Sequence, residues 1–246
     1  MNRIAVIKAV FSGYDAVSPV CFESDYDFLL FTDSNIKIKG WDTIYLSDNR
    51  RPEILNRIIK SMQHKCLFDY DVIIYLDGNI DFTSNGLSII LNEFNDTNNA
   101  IMVARHFARK SIYDEAEVLL RSIRVKSAKL FLQMYKYIKL GYRDQLDMGE
   151  NNIIVYRPEL AKSAFDKWYF EYCNCSNRDQ VSLAPICYFE DTQYGILSFG
   201  SRQNSEFHYR PHVTLGKAGV KYSLVKFFKY IGFSLPFKLL RIWYRV

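Results

Sequence analysis

Residues 72 to 76, VIIYL, form an apolar run without polar alternation, and the chain leaves it through a turn, DGNID, that is mostly polar. A strand with one wet face alternates, so a run that does not alternate must be covered on both faces, as a central strand is between two helical layers. Four further segments have the same shape: IAVIKAVF running into SGYD, DFLLF into TDSN, AIMVA into RHFAR, and NNIIVY into RPE. Helical patterns lie between them, which makes the expected class α/β. No Pro-, Gly- or Ser-rich stretch divides the 246 residues, a length that one core still supports, so a single domain is expected.

The clearest helix is expected from Pro52 to about Phe68. Pro52 suits a first turn, and Ile54, Leu55, Ile58, Ile59, Met62 and Cys66 recur at helical spacing. Arg57, Lys60 and His64 then share its other face as a basic stripe at i, i+3 and i+7. A second helical stretch starts at Ser111, with its hydroxyl as cap and Asp114 as the reciprocal acid, breaks near Val125 to Ser127 and stops at Gly141.

The net charge is +5, but residues 217 to 246 carry seven basic side chains and no acid, which leaves the body slightly acidic. A basic surface for nucleic acid is therefore not expected. Five cysteines without paired C-x-x-C spacing fit neither a disulfide framework nor a zinc site, and a reducing compartment is the simpler reading. Arg3 and Lys8 interrupt the first apolar run, so it reads as a strand and not a signal peptide, and no span of eighteen uncharged apolar residues is present. No P-loop, G-x-G-x-x-G fingerprint or serine hydrolase elbow occurs.

Asp77, Asn79 and Asp81 leave the VIIYL strand at alternate positions. Oxygen ligands so spaced suit a hard divalent cation, which can bridge the phosphates of a nucleotide diphosphate; aspartates that merely bind turn N–H groups are the plainer alternative. An EF-hand does not fit, because Phe82 stands where its loop needs glycine and Ser88 where it needs Glu. Asp33 follows DFLLFT and could accept from a base or ribose hydroxyl. His106, Arg109, Tyr113 and Glu115 lie just past AIMVA, where a His and a Glu held together could orient an acceptor hydroxyl or act as a base. Arg178, Asp179 and Gln180 open an apolar segment, with helix capping by Asp179 as the alternative. His208 or His212 could complete a metal shell begun at the strand turn, a surface histidine being the default.

Taken in order, FSGYD (11–15), FTD (31–33), RIIKSMQHK (57–65), YDVIIYLDGNI (70–80), RHFARKSIYDEAE (105–117) and RDQVSL (178–183) resemble the TOD/MUCI-type glycosyltransferase-like domain family, over roughly residues 4 to 190. The resemblance implies a GT-A-like fold over residues 1 to 216, a single Rossmann-type domain with a mixed, mostly parallel sheet. It implies transfer of a sugar from a nucleotide diphosphate sugar, a UDP-sugar, to a glycan or glycolipid acceptor in surface polysaccharide synthesis. Asp77 and Asn79 match the metal-binding turn, so Mn2+ or Mg2+ is the implied cofactor; beyond the range of the resemblance, His208 is the late histidine expected to join them. Arg57, Lys60 and His64 match the basic helix and, with Gly13, Tyr14 and Asp33, are expected to bind the donor. RDQVSL is similar to the D-Q segment of retaining enzymes, which makes Asp179 and Gln180 the expected catalytic pair and retention the preferred outcome. In an inverting enzyme Glu115 or Asp179 would be the base, and His106, Arg109 and Tyr113 are the expected acceptor contacts. Two positions depart from the pattern: Ser12 stands for a glycine and Asn79 for an acid. The competing classes are a non-catalytic glycan-binding or scaffold protein, signalled only by Asn79, and a sugar nucleotidyltransferase, for which FSGYD is a poor phosphate loop.

In the tail, residues 217 to 246, Lys238, Arg241 and Arg245 lie apart from Phe237, Leu240, Trp243 and Tyr244, the pattern of an interfacial helix with anionic lipid as its partner. Pro236 is expected to divide the tail into two helices, the first containing Tyr222, Val225, Phe227, Phe228 and Ile231. The expected location is cytoplasmic, at the inner face of a membrane, with docking of the tail on the body as the alternative.

Overall fold

The computed structural model describes residues 3–123, 125–210 and 220–246. His212, Lys217 and the expected boundary at residue 216 lie outside the described residues, as do the side chains of Lys221 and Tyr222. The strands are β1 (Ile4–Val10), β2 (Asp27–Thr32), β3 (Asp42–Tyr45), β4 (Val72–Leu76), β5 (Ile80–Phe82), β6 (Ile101–Arg105), β7 (Gly149–Tyr156), β8 (Tyr194–Ile196) and β9 (Phe207–Tyr209). The helices are α1 (Pro52–Lys60), α2 (Ser84–Asn95), α3 (Ile112–Leu119), α4 (Ser127–Lys139), α5 (Pro158–Asn174), α6 (Leu183–Phe189), α7 (Val220–Lys229) and α8 (Leu235–Tyr244).

Seven strands form one sheet in the order β3-β2-β1-β4-β7-β6-β8. Only β7 runs against its neighbours, so the sheet is mixed and mostly parallel, as expected. All five residues of the VIIYL run are buried, and their alternation divides two cores. Ile73 and Tyr75 pack with α1, α5 and α6 through Leu55, Ile59, Phe165, Trp168 and Leu183. Ile74 and Leu76 pack on the other face with Leu87, Ile90 and Phe94 of α2. The pairing of β6 with β7 slips between Val103 and Ala104, and a Cβ on Gly149 there would meet Val103 Cγ2 at 2.1 Å, so only glycine fits the irregularity. β5 and β9 form a separate antiparallel ribbon.

The first helix is shorter than its periodicity. α1 ends at Lys60 because Met62 turns into the left-handed region, φ 56°, with Met62 N–H donating to the Ile59 carbonyl and Gln63 N–H to that of Ile58. That is a Schellman stop made without glycine, held by burial of the Met62 side chain. His64 therefore leaves the basic stripe. Ser111 caps α3 as expected, but the second acid is Asp144, which accepts from Ile112 N–H and the Ser111 hydroxyl, while Asp114 pairs with Arg241 at 2.8 Å.

The tail holds two α-helices, as expected, with Pro236 at the start of the second, but the backbone between them stays helical. α7 passes into α8 through a π turn, Tyr230–Ser234, and Pro236 sits in the first turn of α8, where the wider preceding turn accommodates its missing N–H. Much of the tail's basic face is engaged by the body. Lys238 binds Glu117 at 3.1 Å, Arg241 binds Asp114 and Glu117, and Lys229 donates to the carbonyls of Ser122 and Val125. Between these contacts Phe237 is fully buried against Tyr113 and Phe131, in a third core formed by α3 and α4. Among the described residues no helix is long and apolar enough to cross a membrane. Phe237→Ala should lower unfolding free energy by about 3 kcal/mol, the usual loss for a fully buried aromatic ring. Urea denaturation checks this, and a loss below about 1 kcal/mol would mean that the tail contributes little to the third core.

Candidate functional site

Helical spacing sets Arg57 and Lys60 on one face of the last turns of α1, and both reach acids. The Lys60 ammonium, on a side chain 3% exposed, lies 3.1 Å from Asp77 Oδ1 and 3.2 Å from Asp179 Oδ2. Arg57 Nη2 lies 3.2 Å from the other oxygen of Asp179. One cation is thus shared between the acid that ends β4 and the acid of the RDQ segment, and the expected metal and catalytic aspartates fall in one cluster. Burial alone would push the Asp179 carboxyl up, but Arg57, Lys60 and Arg178 together hold it well below the usual carboxylate range. Burial, with Asp77 beside it, pushes the Tyr75 hydroxyl well above its ordinary value, so it stays protonated and donates to Asp77 Oδ1 at 2.9 Å. The backbone of Asp179 is fixed as well, its carbonyl accepting from Trp168 Nε1, Asn151 Nδ2 and the Ser182 hydroxyl.

The turn after β4 is clamped from below and from the side. Lys8, 1% exposed in β1, donates to the carbonyls of Ile80 at 2.6 Å and Gly78 at 3.3 Å. Burial lowers its amine to about 8 against the pull of Asp81, 3.9 Å away. Arg210 binds Asp81 and the Gly78 carbonyl, while Asn79 Nδ2 donates to the Arg210 carbonyl at 2.8 Å. The Asn79 nitrogen is therefore engaged in holding the turn. His208 is exposed in β9 directly across from Asp81, so strand pairing draws it to Asp81 while Asp77 joins Lys60. Among the described residues no three His, Cys, Asp or Glu side chains converge as a metal shell.

The head of β7 escaped the sequence reading. Glu150, Asn151 and Asn152 are all buried, and because β7 is antiparallel they lie at the edge where β4 and β6 end. Asp77 N–H donates to the Asn152 carbonyl at 2.9 Å. Glu150 Oε1 accepts from Arg202 at 2.9 Å, but its Oε2 and Asn152 Oδ1 are buried without a hydrogen-bond partner. Burial, opposed by Arg202, pushes the Glu150 carboxyl up. Gln180 Nε2 is likewise buried without a partner. A strand-end carboxylate beside buried, unsatisfied oxygen acceptors is a donor set that fits a hard cation of the Mg2+ or Mn2+ kind. The only sequence signal was a polar GENN stretch heading an apolar strand, which has this meaning only once the strand direction is known.

Beyond β6, the His106 ring accepts at Nδ1 from the backbone N–H groups of Ala108 and Arg109, which leaves the ring proton on Nε2. Glu115 is buried and ion-paired to Arg109. Tyr113 is a correction: it is fully buried in the third core with its hydroxyl on the Tyr142 carbonyl, and so is not open to an acceptor. The exposed ring at this edge is Phe107, stacked on His106 at 4.9 Å, with Arg202 held between Phe107 and Tyr209. At the end of β1, Ser12 (φ 55°) and Gly13 (φ 62°) make a left-handed turn, and Asp33 tethers it by accepting from Ser12 N–H at 2.8 Å. Ser12 thus adopts the conformation for which glycine was expected. Tyr14 stands 71% exposed beside it. His64 sits apart, edge-on to Phe31, and lines a cleft of about 380 Å³ with Tyr45, Asp48, Arg50 and Tyr169.

No curated protein matches the chain. The family model of the TOD1/MUCI70 glycosyltransferase-like domain matches residues 29–199, from β2 through the residues just after β8. That range contains the shared cation, both of its acids, the head of β7 and the His106 edge. With well over half of its length matched, the chain belongs to the TOD1/MUCI70 glycosyltransferase-like domain family, and its general role is that of a glycosyltransferase working on a sugar donor and an acceptor.

Proposed function

We propose that the protein transfers a sugar from a UDP-sugar to a glycan or lipid-linked acceptor, with retention at the anomeric carbon, in surface polysaccharide synthesis at the inner face of a membrane. The observation that carries the reading is Lys60 bound to both Asp77 and Asp179, with Arg57 on the same Asp179 carboxylate. In a glycosyl transfer from a nucleotide diphosphate sugar, negative charge grows on the departing diphosphate, and preorganised cations that meet it there lower the barrier. Arg57 and Lys60 are such cations, kept in position by carboxylates until a donor arrives. Asp77, Asn152 and Glu150 would hold a bound Mn2+ or Mg2+, with Asn79 and His208 in the adjoining turn and strand; the ion would neutralise diphosphate charge.

On this reading the Ser12–Tyr14 turn, tethered by Asp33, faces the nucleotide. Asp179 and Gln180 lie against the donor sugar, and the unsatisfied Gln180 Nε2 is a hydrogen-bond donor without a use inside the protein. His106, its Nε2 proton outward from its backbone contacts, and the exposed Phe107 ring meet the acceptor. Glu115 orients Arg109 and, ion-paired, is a weaker candidate for a base.

Asp77→Asn should reduce transfer by a few hundred-fold, or about 3 to 4 kcal/mol of barrier, because leaving-group stabilisation is lost while Lys60 keeps Asp179 as its partner and the fold survives. Release of nucleoside diphosphate from a panel of sugar nucleotides with added Mn2+ measures this. A variant within threefold of the parent would exclude the assignment, and activity that survives a chelator would exclude the metal.

Asp179→Asn should lower turnover by about a hundredfold with donor KM unchanged or lower, since two cations are freed for the phosphates. It should also destabilise the fold by about 3 kcal/mol, because Arg57 and Lys60 lose a buried counter-ion. The native pKa is depressed, so this stability difference is fully present above about pH 4 and shrinks as pH falls below it. Equal losses in turnover and donor affinity would instead assign Asp179 to donor binding, and a pH-independent stability difference would contradict the ion pair.

A further inference from the structure

The tail uses one side of its helix to dock and leaves the other bare. Phe228 (68% exposed), Ile231 (48%), Leu235 (39%) and Leu239 (61%) recur at spacings of three and four along α7, the π turn and α8, and Ile242 (74%) and Trp243 (82%) follow Leu239 at three and at four. Phe237 and Ser234 on the opposite side are buried in the body. Six large apolar side chains in one unbroken stripe differ from the scattered exposed residues any protein carries, and they mark a surface that meets an apolar phase.

We infer that this stripe, and not the basic face, lies in the interfacial layer of a lipid bilayer carrying anionic headgroups. The basic residues Lys238 and Arg241 are already engaged by Glu117 and Asp114, so attraction through them is mostly spent inside the molecule. What remains is burial of the stripe at the acyl boundary, with exposed Lys226 and Arg245 at its two ends and Tyr230 and Tyr244 half-buried beside it. Charge decides between lipid and a second copy of the chain. The exposed charges at the two ends of the stripe, Lys226 and Arg245, are both basic and no acid lies between them in the sequence, so a symmetric contact through this stripe would bring like charges together, whereas anionic headgroups complement them. From Val220 to Tyr244 the helix is about 37 Å long at 1.5 Å per residue, and its docked underside keeps it flat against the body, so it lies along a membrane and does not cross it. This deepens the reading of a lipid-linked acceptor, yet its test uses no sugar donor, so the two can fail separately.

Tryptophan emission gives a direct readout, because Trp41 and Trp168 are 6% and 2% exposed and Trp243 is 82% exposed. Full-length protein mixed with vesicles of phosphatidylcholine and phosphatidylglycerol should show a blue shift and float with the vesicles, and most of the binding should survive high salt. The double variant Leu239→Glu, Ile242→Glu should weaken binding by about a hundredfold, the loss expected for two buried aliphatic side chains, whereas Leu132→Glu, an exposed apolar site on α4, should not. No blue shift with vesicles overturns the inference, as does binding abolished by salt or indifferent to the double variant. A blue shift without lipid, rising with protein concentration together with dimer in sedimentation, overturns it in favour of a second copy.

Discussion

Lys60 comes from the last turn of α1, and its buried ammonium is divided between Asp77 at the end of β4 and Asp179 in the RDQ segment. A cation taken out of water is tolerated only where its partners are close and themselves held, because the desolvation penalty of each ion is several kcal/mol. That requirement propagates outward. Asp77 is held by Tyr75 and by pairing to Asn152, and Asp179 by Arg57 and by three donors on its carbonyl. The helix must stop at Lys60, which the Schellman turn at Met62 enforces, and β4 must end where it does, which Lys8 and Arg210 enforce by gripping the carbonyls that follow. The two core layers on either side of the sheet keep these pieces in register.

The electrostatic plan extends past that centre. Because β7 is reversed, Glu150 stands between the Asp77 cluster and Arg202, and Arg202 lies against the ring stacked on His106. Ion pairs thus extend from Arg57 to Asp77 and from Glu150 to Arg202, with the like charges of Asp77 and Glu150 facing each other between them, and the oxygens of Glu150 and Asn152 and the Gln180 nitrogen that lack partners belong to these residues or their immediate neighbours. Such groups are disfavoured in a site whose only task is stability, and they are common where a ligand supplies the missing partner.

The tail follows a different logic. Its underside resembles a domain interface, with one buried ring framed by ion pairs, and it closes the third core over α3 and α4. Its upper side is apolar and unmatched by anything in the body. Three of the basic residues that make this segment look lipid-seeking in sequence, Lys229, Lys238 and Arg241, fasten it down.

Sequence alone determined the class of the fold and the strands that carry it, because burial on both faces writes unbroken apolar runs, and VIIYL is one whatever surrounds it. It also placed polar residues after the apolar runs and a basic face on α1, hence Asp77, Asp179, Lys60 and Arg57 as candidates for the site. Tertiary structure decided which of these meet. Whether Lys60 faces Asp77 or solvent depends on where α1 crosses the sheet, and helical period is silent on that. His64 left the stripe because a left-handed Met62, affordable only with its side chain buried, ends the helix early. Tyr113 went to the core, where its hydroxyl reaches the Tyr142 carbonyl and Phe237, far along the chain, packs beside it. Glu150 and Asn152 entered the site through the direction of β7, and strand direction is fixed by the connections and packing of the whole sheet, which no local pattern of residues encodes.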